Sequence, residues 1–266
     1  MATLTLLSVL LRSLVTSLCA LMPLLVCTEP TFAAGCLFPP LGEGRVAGVV
    51  DAMSFRLIDG NEVRLAGIEP ITGMTKADRG GALSAIIQGH DVTLRGQHDA
   101  PDRYGRQIAF VYLKSSQSSV QELLLSRGEA FASPDVADKD CAAALMGAEK
   151  EARQAKRGIW ADPSVIKKAE SPDDILTRIG RFTLVEGRVL SVHRAGPTTY
   201  LNFGRNWTRE FAATIAKRSL PAFARAGIAL KSLQNRRIRV RGWIEAHPGP
   251  RIWVRQVGQI QVLGGN

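Results

Sequence analysis

The sequence predicts a chain that is mainly β with helices, α+β in class, arranged as two small domains. Three observations predict it. Runs with strand-like alternation recur between Arg45 and Tyr112 and again beyond residue 182. A strong hairpin signal, Asp59-Gly60, joins two of these runs. Helical patterns fall at 76–89, 120–127 and 138–157, where apolar residues recur at i, i+3 and i+4 or where Ala, Glu, Lys and Arg predominate. The 266 residues suit two modest domains, and an apolar content of 45% supplies packed cores and excludes bulk disorder.

Residues 1–34 read as a signal peptide. Arg12 precedes a mostly apolar run at 13–26, and Thr31-Phe32-Ala33-Ala34 offers small residues for cleavage after Ala33 or Ala34. The run falls short of the ~20 residues that a membrane span needs, and an uncleaved anchor is the alternative. No later run is apolar enough to span a membrane. The expectation is an exported protein, periplasmic or secreted, with no stable span after cleavage. Cys19 and Cys27 leave with the signal, so Cys36 and Cys141 remain. Export permits a disulfide. Two cysteines are few for a metal site, and two unpaired buried thiols are the alternative.

From Arg45 the elements follow in order. Val46–Val50 and Ser54–Ile58 read as strands around the Asp51-Ala52-Met53 turn, and Glu62–Ile68 as a third, ended by Pro70. The helix at 76–89 places Leu83, Ile86 and Ile87 on one face and closes at Gly89. Val92–Leu94 and Ile108–Tyr112 are the next strands, joined by a polar loop. Helices then end at Gly128 and Gly158. Residues 163–178 are expected as a linker between a first domain at 35–162 and a second at 179–266. In the second, strands are expected at 183–193, 198–203, 208–215, 236–245 and 251–255. A helical stretch at 216–227 precedes the fourth. That order suggests a small Greek-key barrel of the OB type.

Charge divides the chain. Residues 34–170 carry 17 Lys+Arg and 18 Asp+Glu, whereas residues 171–266 carry 16 and 5, a net +11. The basic C-terminal part points to nucleic acid or another polyanion as partner.

Three segments arrive in order in the first domain: Val49-Val50-Asp51-Ala52-Met53-Ser54-Phe55-Arg56-Leu57, Val63–Pro70, and Asp102-Arg103-Tyr104-Gly105-Arg106 leading into Ile108–Tyr112. The closing helix ends in Arg157-Gly158-Ile159-Trp160. Over roughly residues 44–162 this set resembles the staphylococcal-nuclease (thermonuclease) family. The resemblance implies a five-stranded OB barrel with three helices, and cleavage of DNA and RNA phosphodiesters with Ca²⁺. It also places Cys36 and Cys141 at the approach to the first strand and the start of the last helix, and so implies that they pair.

The resemblance puts Arg64 and Arg106 at the two phosphate-clamping positions, where paired guanidinium donors offset the charge built up during attack. Asp51, Glu69 and the Pro70 carbonyl fall at metal positions, since hard Ca²⁺ wants oxygen ligands. The second acidic position is Met53, a soft and neutral thioether. The water-activating glutamate position is Thr72, with Asp78 the nearest substitute. Base help is worth typically ~10²–10⁴ in rate, so these departures imply a catalytically impaired domain that still binds nucleic-acid phosphates. An active Ca²⁺-dependent nuclease is the alternative. Other readings stay open: Arg64 as a surface ion pair with Glu69 or Asp51, Arg106 as a solvated loop residue, Asp51 as an Asx-turn, and Met53 as packing. His90, His98, His193 and His247 are scattered and receive no role.

In the second domain, Arg237, Arg239, Arg241 and Trp243 alternate with apolar residues, and so do Arg251, Trp253 and Arg255. Paired as a hairpin, these strands display five arginines and two tryptophans on one face, with Tyr200, Phe203 and Trp207 extending the platform. Guanidinium suits phosphate and indole suits bases. Docking of that face on the acids of the first domain is the competing reading.

Overall fold

The computed structural model describes residues 35–71, 80–114 and 116–264. The signal segment 1–34 and positions Thr72 and Asp78 lie outside the described residues. The first domain runs β1 (Pro40–Asp51), β2 (Ser54–Leu57), β3 (Glu62–Leu65), β4 (Ile68–Pro70), α1 (Gly81–Ile87), β5 (Asp91–Arg95), β6 (Gln107–Leu113), α2 (Val120–Arg127), β7 (Ala130–Ala132) and α3 (Lys139–Gln154). Five strands close on themselves in the order β1-β2-β3-β6-β5. β1 is long enough to serve two neighbours: Pro40–Arg45 pair with β5 and Val46–Asp51 with β2. Only the β3–β6 junction is parallel.

Alternation fills the interior. Phe55, Val63, Leu65, Val92, Leu94, Ala109 and Val111 are buried there, and α1 and α2 add Leu83, Ile87, Leu124 and Leu125. α2 begins in a capping box between Ser119 and Glu122, and Gly128 ends it in the left-handed region at φ 73°. A Cβ on Gly128 would stand 2.2 Å from the Arg157 carbonyl oxygen, so the close of α2 against the end of α3 admits only glycine. The Cys36–Cys141 disulfide is formed and closes a loop of 105 residues in sequence separation.

The stretch expected as a linker is structured. It holds β8 (Ile166–Lys168), parallel to the next strand, and α4 (Pro172–Leu176), whose Ile175 is fully buried. β9 (Phe182–Arg188), β10 (Ser191–Ala195), β11 (Thr198–Asn202), β12 (Ala212–Ala216), α5 (Leu220–Arg225), β13 (Arg237–Ala246), β14 (Pro250–Val254) and β15 (Ile260–Val262) follow. The eight-stranded sheet runs β10-β11-β12-β14-β13-β9-β8, with β15 also on β13. Its two segments β9 and β10 are consecutive in the chain, separated by Val189 and Leu190. β9 pairs with β13 and β10 with β11, as the two halves of β1 pair with β5 and β2. The sheet's parallel junction β12–β14 answers to β3–β6, and β8–β9 is a second parallel one. The strand expected at 183–193 is thus broken at Val189, whose N–H and carbonyl bond Arg236 and Asn235.

Both domains belong to one compact unit. Phe131, Ala152 and Trp160 of the first pack with Val165, Phe182 and Leu184 in one buried cluster. A chain of aromatic contacts runs Trp160–Phe131–Phe182–Trp243 at centroid separations of 5.6, 6.0 and 6.2 Å.

Candidate functional site

Arg64 sits on β3 between buried Val63 and Leu65, so alternation turns it to the outside of the ring. Its register partner on β6 is Ile108. Arg106 lies two residues before Ile108, in the turn that leads into β6. That turn fixes Arg106. The Asp102 Oδ1 accepts the Tyr104 and Arg106 N–H groups at 2.8 and 3.0 Å. Its Oδ2 accepts Nε and Nη2 of Arg106 at 2.9 and 2.7 Å. Gly105 at φ 79° allows the turn, and the Arg103 and Arg106 guanidinium groups lie 4.7 and 5.1 Å from the Tyr104 ring centre. Hydrogen bonds from Arg106 pull the Asp102 carboxyl down to about 2. The same contact, followed by the charges of Asp51 and Glu62, raises the Arg106 pKa.

Glu69, on β4, receives a hydrogen bond from Ser133 Oγ at 3.0 Å. Burial nonetheless raises its pKa, outweighing that bond and the attraction of Arg64. Arg64 therefore acts on Glu69, and Asp51 acts on Arg106, as two separate pairs.

The metal positions are occupied differently. Asp51 Oδ1 accepts the Met53 N–H at 2.7 Å, the Asx-turn reading. Met53 is 3% exposed and lies in the core, the packing reading. Pro70 is paired with Ala130 in the two-stranded β4–β7 sheet. Calcium asks for about six to eight oxygens. Among the described residues no three His, Cys, Asp or Glu side chains group as ligands. The described donors do not fit a calcium site.

The second-domain face is corrected in part. Arg239 is buried against Glu186, through Nε at 2.8 Å and Nη2, and it bonds Gln261 at 3.0 Å. Arg241, 2% exposed, donates to both Glu149 oxygens at 2.9 Å and to the Ala132 carbonyl at 2.8 Å. Neither is free for a polyanion: a buried guanidinium must be paired, and Glu186 on β9 serves Arg239 while Glu149 on α3 serves Arg241. Phe203 is likewise in the core rather than on a platform. Arg237 and Arg255 are exposed, Trp243 is 47% exposed, and Arg251 lies over the half-buried Trp253 at 5.8 Å.

Asp102 and Glu149 were not assigned from sequence. The Asp102–Arg106 spacing across a glycine turn marks the first. The stripe Cys141, Leu145, Glu149, Ala152 marks the second, a carboxylate on the apolar face of α3.

No described helix is long and apolar enough to cross a membrane. No curated protein matches the chain. Residues 80–162 match the family model described as staphylococcal nuclease homologue, a stretch that includes Arg106 and Glu149 and begins after Arg64 and Glu69. The chain therefore carries a staphylococcal-nuclease-like domain, which supports a nuclease-like role in binding nucleic acid.

Proposed function

We propose that this is an exported protein that grips nucleic-acid phosphates through Arg64 and Arg106, on a nuclease-like domain that has lost its calcium chemistry. One observation carries the reading. Arg64 on the outside of the ring acts on Glu69, and Arg106 is acted on by Asp51, while the position that should supply a carboxylate, Met53, is turned into the core. Arg106 is held ready by Asp102, so its guanidinium is oriented before any phosphate arrives. Guanidinium groups so placed bind a bridging phosphate bidentately. Activation of water is left without a described base. Glu69 is held partly out of solvent, and its raised pKa weakens it as an anionic ligand.

The formed disulfide is compatible with the export that residues 1–34 suggest. On this reading the C-terminal part is a second OB-like barrel, closed through the continuous chain of β9 and β10 and docked on the first by Arg241.

Degradation of plasmid DNA and RNA in Ca²⁺, Mn²⁺ or EDTA tests the reading, with binding of a labelled oligonucleotide measured across a salt series. Salt-sensitive binding without cleavage is expected. Each of Arg64→Ala and Arg106→Ala should reduce the log–log salt slope by about 1. Metal-dependent cleavage abolished by either substitution would establish the active nuclease instead.

A further inference from the structure

The outer face of the second sheet carries a cleft of about 430 Å³ that the phosphate arginines do not touch. Cross-strand register builds it. One row runs His193–Tyr200–Thr214–Trp253 over β10, β11, β12 and β14, and the next runs Ser191–Asn202–Ala212–Arg251. Small side chains, Ala212 and Thr214, occupy the middle of both rows and leave the floor low. Tyr200 and His193 rise on one side, and Arg251 and His247 on the other.

Trp207 stands at the lip, 68% exposed, and also lines a neighbouring cleft of about 460 Å³. Most of the indole faces solvent. Its loop is nevertheless fixed: Asn206 Oδ1 accepts the Thr208 N–H and hydroxyl at 3.2 and 2.6 Å, and Glu210 accepts the Asn206 N–H. The backbone on both sides of Trp207 is held, which lowers the cost of ordering the loop when a base stacks on the ring.

We propose that this cleft binds the bases of a single-stranded nucleic acid, stacking them on Trp207 and Tyr200 while Arg251 meets the adjoining phosphate. The cleft lining itself holds one arginine, Arg251, and one acid, Glu210, but the surrounding residues 171–266 carry 16 Lys+Arg against 5 Asp+Glu, a field that favours a nucleic-acid strand over a neutral glycan. Both wall arginine and ring planes are the groups that a strand uses. The cleft also leads toward the first domain. Arg251 lies over Trp253, and Trp253 lines a further cleft with Glu69 and Trp243. The inference does not depend on Arg64 or Arg106.

The test is fluorescence anisotropy and tryptophan quenching with a labelled oligothymidylate of about 12 nucleotides, within the site size of one such barrel. An abasic strand of equal length and a neutral chitooligosaccharide serve as comparisons. Trp207→Ala and Tyr200→Ala should each weaken binding about 5- to 100-fold, with Trp207→Phe retaining most of it. Quenching should persist in Arg64→Ala/Arg106→Ala, which separates this site from the phosphate site. Trp207 is exposed and Tyr200 half-buried, so circular dichroism checks that the variants fold, and Trp207→Ala alone decides if Tyr200→Ala does not fold. Equal binding of the abasic strand, unchanged binding by Trp207→Ala, or quenching by the glycan and not by the oligonucleotide would overturn it.

Discussion

Arg241 on β13 donates two hydrogen bonds of 2.9 Å to the Glu149 carboxylate on α3, and both side chains are almost wholly excluded from solvent. Glu149 also accepts the Ala132 N–H at 2.8 Å and Arg153 at 3.1 Å, so its lone pairs are well used. A pair buried this deeply is costly to break from one side, because a lone charge stays behind. Arg241→Met should lower stability to urea by about 3 kcal/mol, the low end of the usual range because Arg153 remains. The double variant Arg241→Met/Glu149→Leu should recover much of that loss. A single-variant loss below about 1 kcal/mol would show that the junction does not depend on the pair.

Met53 sits where the family resemblance expects an acid, yet it packs inside the ring. Met53→Asp should therefore destabilise the domain by at least about 2 kcal/mol, since the new carboxyl is buried without a partner. It should not produce a Ca²⁺-dependent rise in melting temperature. Calorimetry with Ca²⁺ and with EDTA checks both outcomes, and a stabilising shift with Ca²⁺ would mean that the side chain turns outward to bind.

Glu69 titrates above its ordinary value because burial disfavours its anion. The folded state therefore binds its proton more tightly than the unfolded state. This contribution is complete below the unfolded carboxylate range and is lost as pH rises through the folded pKa. Glu69→Gln should remove that dependence, making the variant relatively more stable at neutral pH than at pH about 4. Urea midpoints at the two pH values measure it; a variant that loses stability equally at both would refute the assignment.

The Cys36–Cys141 bridge restrains a long loop in the unfolded chain. Cys36→Ser/Cys141→Ser should cost about 2–4 kcal/mol, and reductant should lower the wild-type melting temperature to that of the variant. Equal melting in both redox conditions would show that the bridge contributes nothing.

Much of the first domain was legible because its signals are local. Asp59-Gly60 sets a hairpin, Gly128 and Gly158 end helices, and alternation around Arg64 tells inside from outside. The family resemblance then named Arg64, Arg106 and the cysteine pair. What escaped was long-range. Arg239 and Arg241 obey the same alternation as Arg237, and nothing in that alternation says that Glu186 on β9 and Glu149 on α3 take two of the three. Their partners, Glu186 and Glu149, lie 53 and 92 residues away in sequence. His193, Tyr200, Trp207, His247 and Arg251 belong to separate strands and loops, so only the register of β10, β11, β12 and β14 gathers them.

One helix makes the two halves mutually dependent. α3 is stitched at Cys141 to the chain that leads into β1, and two turns later Glu149 reaches across to β13. Cutting at 163–178 would open the shared apolar cluster of Phe131, Ala152, Trp160, Val165, Phe182 and Leu184 and release Arg241 and Glu149 to water. Neither sheet is thus a portable module: each half alone would present the apolar surface that the other now covers.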